Sequence, residues 1–403
     1  MATEPVLELD RDRLQDVANQ EPPELAKRLR KNAEFVKALR HYGIEPETKT
    51  SPRTGKQTYA FAKTDSFMQG LASHRNPAVR KLHELRTQGS SNINRTRAQR
   101  FLDVAAPLPV PLIYYGAHTG RSSGKDGINL QNLPRGGDLR TALQAPEGYR
   151  LLIVDSGQVE VRVLGWLAGA HKLLETCRKA DAGEGPDIYT QFGADVLFRK
   201  APKAVTKGER QTAKPPVLAC GFGQGSNGLI GYAEGMGVTL DEATAKRAVE
   251  GYRSQYWEIP RYWDELMRAV QQRGELVLPT GRKLTYPDRY RQGRELYFQR
   301  HSIFSKARKG QRDQAKIWPG VAAENATQAV ARDVVFWQVA QLRDAGFHPV
   351  LMAHDEGVFL IPEDEAEAAK QTAEEAFATP PPWASDMPLI GEAVVAPDYS
   401  EKP

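Results

Sequence analysis

Apolar residues follow two rhythms along this chain. Short unbroken apolar runs end on acids: LLIV at 151–154 precedes Asp155, and VLMA at 350–353 precedes His354, Asp355 and Glu356. The second run resumes at once as GVFLIP, so VLMAHDEGVFLIP predicts a β-hairpin with its acid at the tip. The other rhythm is helical. Leu25, Leu29, Phe35 and Leu39 recur at helical spacing and predict a helix over 21–42, started near Pro22 and Pro23 and stopped by Gly43. Similar patterns predict helices over 240–255 and 262–273, and an amphipathic helix over 325–346 that ends on a glycine. The run LVLPTGRKLTY at 276–286 predicts a small hairpin turning at Thr280 and Gly281. Residues 48–65, rich in Thr, Ser, Lys and Gly, read as a loop leading into a helix from about Ser66. Residues 76–101 read as a basic helical region closed by the proline-rich PLPVPL, which marks a boundary near residue 110.

A carboxylate ending a buried strand is costly unless a cation neutralises it. Asp155 and Asp355 lie 200 positions apart, and two such acids suggest a shared metal site. Paired acids on adjacent strands suit two-metal phosphoryl transfer, because hard oxygens hold Mg²⁺ and leave positions for substrate phosphates. The competing reading is that each acid only caps a strand or turn. Between them, Arg210 and Lys214 are spaced i, i+4 and share one face of any helix that carries them.

The order of segments narrows the choice. VDSGQVEVR around Asp155, ERQTAKPPVLACGFGQG with Arg210 and Lys214, and AHDEGVF around Asp355 resemble motifs A, B and C of the family A DNA polymerases, the DNA polymerase I type. HTGRSSGKDGINLQNLPRG resembles that family's TGR…NLQN-P segment, and ATQAVARD its QGTAAD helix. The resemblance runs from about residue 46 to the C-terminus. It implies an α/β right-hand fold with an antiparallel-sheet palm, helical fingers and a short helical thumb. The implied domains are thumb 1–110, palm 111–170, fingers 171–319 and palm again 320–403. The implied activity is extension of a primer on template DNA with dNTPs.

The same resemblance assigns residues. Asp155 and Asp355, with the Ser156 carbonyl, would hold two Mg²⁺ ions about 3.5 to 4 Å apart, with Mn²⁺ able to substitute. Glu356 ranks below the aspartates, since neighbouring strand side chains point to opposite faces. Arg210 and Lys214 would grip the triphosphate, Lys214 also as donor to the leaving group. Gln158, Glu160, Leu218, Phe222 and Tyr189 would line the nucleotide pocket, Glu160 excluding a ribose 2′-hydroxyl. Leu218 stands where the family usually has an aromatic residue, and Phe222 where it usually has a tyrosine whose hydroxyl pairs with the glutamate. Glu160 is therefore expected to be less firmly oriented. Pro215 and Pro216 follow Lys214 directly, so the helix is expected to kink or restart there. Arg121, Asn129, Gln131, Asn132 and Gln328 resemble minor-groove readers, and His354 a residue touching the primer end. Donors in that groove can check pairing without reading sequence.

Charge and composition fit this picture. The 403 residues carry a net charge of +5, unevenly spread. Residues 1–110 balance to +6 and residues 363–403 to −8. Seven basic residues and one acid lie within 75–100, and nine and two within 289–316, stripes that suit a phosphate backbone. Two cysteines are too few for a disulfide framework or zinc site. With no apolar stretch of membrane-spanning length, the expectation is a soluble, monomeric, cytoplasmic protein, in host cytoplasm if viral. Only about 110 residues precede the TGR segment, all taken by the thumb, so no proofreading exonuclease is expected; the wording looks bacteriophage-like. Competing readings are an idle DNA-binding scaffold, a metal-dependent nuclease, or a polymerase using an RNA template or making RNA. Glu160 argues against an RNA product.

Overall fold

The computed structural model describes residues 6–20, 24–50, 57–62, 65–88, 93–104, 107–134, 136–300 and 313–403. Several expectations lie partly outside these: the helix start at Pro22 and Pro23, the 51–56 and 63–64 parts of the predicted loop, 89–92 of the first basic stretch and 301–312 of the second.

Asp10–Ala105 forms one compact unit. Its core gathers Leu29, Phe35, Leu39, Met68, Leu71, Val79 and Leu82. The helix expected over 21–42 is two helices, Glu24–Leu29 and Asn32–His41, because Lys31 adopts an extended conformation between them. Gly43, at φ +73°, stops the second as expected. In the segment read as a loop, Thr48–Thr50 instead pairs with Gln57–Tyr59, and the helix begins at Ser66 as anticipated. The basic region comprises the helices Pro77–Gln88 and Ile93–Asp103.

The other unit holds the remaining chain, including the strand Glu8–Leu9, which pairs with Leu143–Gln144. It is built on a four-stranded antiparallel sheet in the order Pro349–Ala353, Glu356–Pro362, Tyr149–Ser156, Gly391–Ala396. The predicted hairpin is the first pair, with Ala353 opposite Glu356 and only His354 and Asp355 in the turn. Alternation sends Leu152, Val154, Phe359 and Ile361 to one face. There they pack on Val335, Val339 and Leu342 of the helix Pro319–Asp344 and on Ala373 and Phe377 of the helix Ala366–Ala378. Each such side chain contributes about 1.5–3 kcal/mol of burial, which fixes the strand register. Asp155 therefore falls on the opposite face.

Helices dominate residues 159–273, around a second core of Val163, Leu173, Phe192, Val217, Tyr252 and Val330. Glu242–Gln255 and Glu258–Arg273 match the predicted helices closely. Glu275–Val277 pairs with Lys283–Thr285, turning through Gly281 at φ +78°, as expected. The long helix begins at Pro319, ahead of the expected Asn325, with proline in its first turn.

Candidate active site

The end of the Tyr149–Ser156 strand concentrates acid. Asp155 lies opposite Glu356 on one neighbouring strand and opposite Glu392 on the other. Directly opposed residues share a face of the sheet, so Glu356 belongs to the Asp155 row. Glu356 is buried and accepts a hydrogen bond from the Tyr399 hydroxyl. Arg140 donates to that hydroxyl at 2.8 Å, and its guanidinium lies over the Tyr399 ring. Burial pushes the Glu356 carboxyl above its ordinary range and Asp155 adds to this, while Tyr399, Arg140 and Lys402 oppose it. Lys402 Nζ stands 2.9 Å from Asp155 Oδ2 and 4.0 Å from Glu356 Oε2.

Asp355 reaches the same corner through the hairpin turn, where the Ser156 N–H donates to the Asp355 carbonyl at 2.9 Å. His354, the first turn residue, holds φ +57°. The tight two-residue turn imposes this strained backbone. The His354 ring has a lowered pKa, chiefly from desolvation and then from Arg121, with Asp355 and Glu160 opposing. On the far side of the strand, the buried Ser156 hydroxyl accepts from Gln338 at 3.1 Å, which anchors the strand end to the long helix.

Glu160 sits in the first turn of the helix Val159–Ala168, whose N-cap, Gln158, adopts a left-handed conformation. Contrary to expectation, Glu160 has a partner that does not depend on Phe222: Arg121 donates to its Oε1. Glu324 belongs to this group, since desolvation raises its pKa, Glu160 adds and Arg121 opposes. Gln328, one turn on, donates to Glu324 at 3.2 Å. Asn129 caps the short turn Leu130–Asn132, and Gln131 Nε2 reaches the Met352 carbonyl at 3.3 Å. That contact ties the turn to the hairpin carrying His354 and Asp355.

The helix Lys207–Ala219 continues through Pro215 and Pro216, so it does not restart there. Each proline removes one intrahelical donor, but both are buried in tertiary packing that holds the helix together. A capping box between Thr206 and Glu209 secures its start. Arg210 and Lys214 consequently share a face and converge on one ring. The Arg210 Cζ lies 5.1 Å and the Lys214 Nζ 5.7 Å from the Tyr189 centroid. Burial pushes the Tyr189 hydroxyl up to about 12. Asp187 caps the helix Ile188–Phe192 and accepts from Arg210 Nε at 2.9 Å. Leu218 and Phe222 are half-buried against the helical core.

The sequence reading passed over Asp187, Glu324, Glu392, Arg140, Tyr399 and Lys402. Asp187 carried a local signal, an acid just ahead of a helix. Arg140, Tyr399 and Lys402 carried none, because only tertiary pairing brings them to the acids.

Among the described residues no group of three or more His, Cys, Asp or Glu side chains is assembled as a metal cage. The donors still suit a hard divalent ion, because Mg²⁺ is commonly held by one or two carboxylates with waters and substrate phosphates. Glu356 Oε2 is buried and has no hydrogen-bond partner among the described residues. Asp155 and Glu356, opposite each other in one row, therefore suit such an ion.

The sequence profile of DNA polymerase family A matches residues 24–401. The DNA polymerase of Bacillus phage SP02 is 27% identical over 288 residues, 66% of this chain and 43% of the phage protein. The thermostable DNA polymerase I of Thermus filiformis is 28% identical over 287 residues, 70% of this chain and 31% of that enzyme. The chain thus spans less than half the length of these relatives. In fold it resembles the POL domain of Pol1 from M. smegmatis, solved in complex with DNA primer-template and dNTP. The TM-score is 0.71 at 20% identity, covering 98% of this chain and 67% of that one. A profile match over nearly its full length shows that the chain belongs to DNA polymerase family A.

Proposed function

We propose that this chain extends a primer 3′-hydroxyl on a DNA template using dNTPs. The observation that carries the reading is the acidic strand end, where Asp155 and the Asp355 turn meet beside the Arg121–Glu160 pair. Asp155, Asp355 and the Ser156 carbonyl would hold two Mg²⁺ ions, with Mn²⁺ able to substitute, and Glu356 would back them from the Asp155 row. Bound there, the ions supply Lewis-acid activation and neutralise developing phosphate charge. Arg210 binds the triphosphate by its planar fork, with Asp187 setting its orientation. Lys214 supplies a point charge and a proton donor to departing pyrophosphate, and Tyr189 forms the floor beneath both cations. Glu160, steadied by Arg121, blocks a 2′-hydroxyl, while Gln158, Leu218 and Phe222 shape the pocket around it. Arg121, Asn129, Gln131, Asn132 and Gln328 face the minor groove of the nascent pair, and His354 the primer end.

The thumb, palm and fingers spans stated above, a monomeric state and a phage-type origin complete the reading. The M. smegmatis likeness supports primer-template DNA and dNTP as ligands, and the phage relative supports the origin. The test is extension of a labelled primer with dNTPs or rNTPs. The wild type should add dNTPs, and Asp355→Ala should lose extension while keeping duplex affinity. Wild-type-like extension by Asp355→Ala, or no dNTP incorporation by the wild type, overturns the assignment.

A further inference from the structure

A three-stranded sheet of Tyr290–Gln292, Glu295–Gln299 and Gln314–Ile317 lies outside the site described above. Its inner face is apolar, with Leu296, Phe298, Ala315 and Ile317 buried. Phe298 packs on Tyr286 at 5.0 Å between centroids and on His118 at 5.7 Å. His118 belongs to the loop that carries Arg121, where the Ala117 N–H donates to the Arg121 carbonyl. The sheet is therefore packed on the loop that reaches the Arg121–Glu160 pair.

The outer face is built differently. Tyr290, Tyr297 and Lys316 stand directly opposite one another in a single cross-strand row. The two tyrosine rings are stacked, 5.5 Å apart and 19° from parallel. Their hydroxyls are occupied, Tyr290 donating to Gln314 and Tyr297 to Glu295, each at 2.6 Å. Tyr290 is 37% exposed, and no other ring stacks on it among the described residues. Lys316 is neutralised by Glu295. Arg294, exposed in the two-residue turn of the same hairpin, has no ion-pair partner among the described residues, so the rim of the patch carries uncompensated positive charge, whereas Arg291, opposite Leu296, belongs to the other face.

We propose that this face binds single-stranded DNA, the unpaired template ahead of the primer end, by stacking a base on Tyr290 and pairing a phosphate with Arg294 at its rim. A cross-strand aromatic pair alone would serve the sheet. A stacked aromatic pair beside an unpaired arginine suits sequence-tolerant single-strand binding, since every base offers a π-face and every phosphate a charge. Naming the strand as template rests on the polymerase reading; the stacking site does not.

The test is fluorescence anisotropy with labelled oligo-dT and with a blunt hairpin duplex, alongside primer extension on templates with long or single-nucleotide overhangs. Tyr290→Ala should weaken oligo-dT binding about tenfold and Tyr290→Phe less than about twofold, given the usual strength of base–aromatic stacking. Arg294→Ala should lower the salt slope by about 0.7 for a single strand. Blunt-duplex affinity and extension across a single-nucleotide overhang should be unchanged, while extension on long overhangs weakens. The proposal is overturned if Tyr290→Ala binds oligo-dT like wild type, if Tyr290→Phe is equally impaired, or if duplex binding falls in parallel. A wild type that binds oligo-dT through Tyr290 but incorporates no dNTP removes the polymerase reading and leaves the surface standing. Normal extension with a silent Tyr290→Ala does the reverse.

Discussion

Gly320→Ala tests how the nucleotide side of the site is held. Gly320 lies in the first turn of the helix Pro319–Asp344. A Cβ there would meet the Phe222 carbonyl oxygen and two atoms of the Trp318 ring, all well inside the 3.0 Å that real Cβ contacts respect. The carbonyl is backbone and cannot rotate away, so either the helix start or the Cys220–Phe222 turn must shift. Overpacking of this kind costs about 1–3 kcal/mol. Helix propensity acts the other way, favouring Ala over Gly by about 1 kcal/mol in a helix interior. Gly231 isolates that opposing effect: it lies inside the helix Ser226–Gly235, is exposed, and has nothing within 4 Å of its would-be Cβ. Urea unfolding followed by tryptophan fluorescence should therefore rank Gly231→Ala at or above wild type and Gly320→Ala below it by up to about 2 kcal/mol, the overpacking cost less the propensity gain. The displaced Phe222 should also raise the KM for dNTP in Gly320→Ala alone. A Gly320→Ala protein that unfolds at or above the wild-type midpoint would show that the close approach to Phe222 is not a constraint.

Three further outcomes follow from the site. Tyr189→Leu removes the ring under Arg210 and Lys214; two cation–π contacts of about 0.5–1 kcal/mol each predict a roughly 5- to 30-fold rise in dNTP KM with a smaller change in kcat, read by single-nucleotide incorporation, with Tyr189→Phe near wild type. Glu209 has its pKa lowered to about 2, first by Lys200 and then by the Thr206 backbone. Its contribution to stability is therefore present above the usual carboxylate pKa and is lost as pH falls toward 2. Thermal unfolding of Glu209→Gln should lack that part of the acid-side decline, and a decline identical to wild type would remove Glu209 as its source. Lys402→Met deletes the ammonium beside Asp155 and should tighten Mn²⁺ binding to the DNA-free protein about three- to tenfold, the worth of a partly exposed ion pair. Paramagnetic resonance of free Mn²⁺ reads this directly, and unchanged binding would show that Lys402 does not compete for the carboxylates.

Features set by a few adjacent residues were legible in the sequence. The hairpin at 349–362 showed itself because two apolar runs flank a polar step too short for anything but a turn. The turn at Gly281 and the helices ending at Gln255 and Arg273 had similarly local signals. Where tertiary packing decides, the local signal misleads. The two prolines after Lys214 argued for a break, yet their burial keeps Lys207–Ala219 whole. An apparently continuous apolar rhythm over 21–42 hid the extended Lys31. The missing hydroxyl at Phe222 suggested a loose Glu160, but Arg121, distant in sequence, supplies the partner.

Strand neighbours are the hardest information to read, because register depends on which segments meet and a one-residue slip exchanges the faces. Alternation separates Asp355 from Glu356 but does not say which of them faces Asp155. The observed register places Glu356 and Glu392 on either side of Asp155, three like charges in one row. Opposed like charges weaken a sheet, so this strand end is stable only with positive charge beside it. Lys402 and Arg140 provide that charge in the protein alone. Any divalent cation that binds there adds to it, and by linkage stabilises the folded sheet in proportion to its occupancy. The repulsion that makes the row a poor place to pack three acids is thus the same property that would favour a cation beside it.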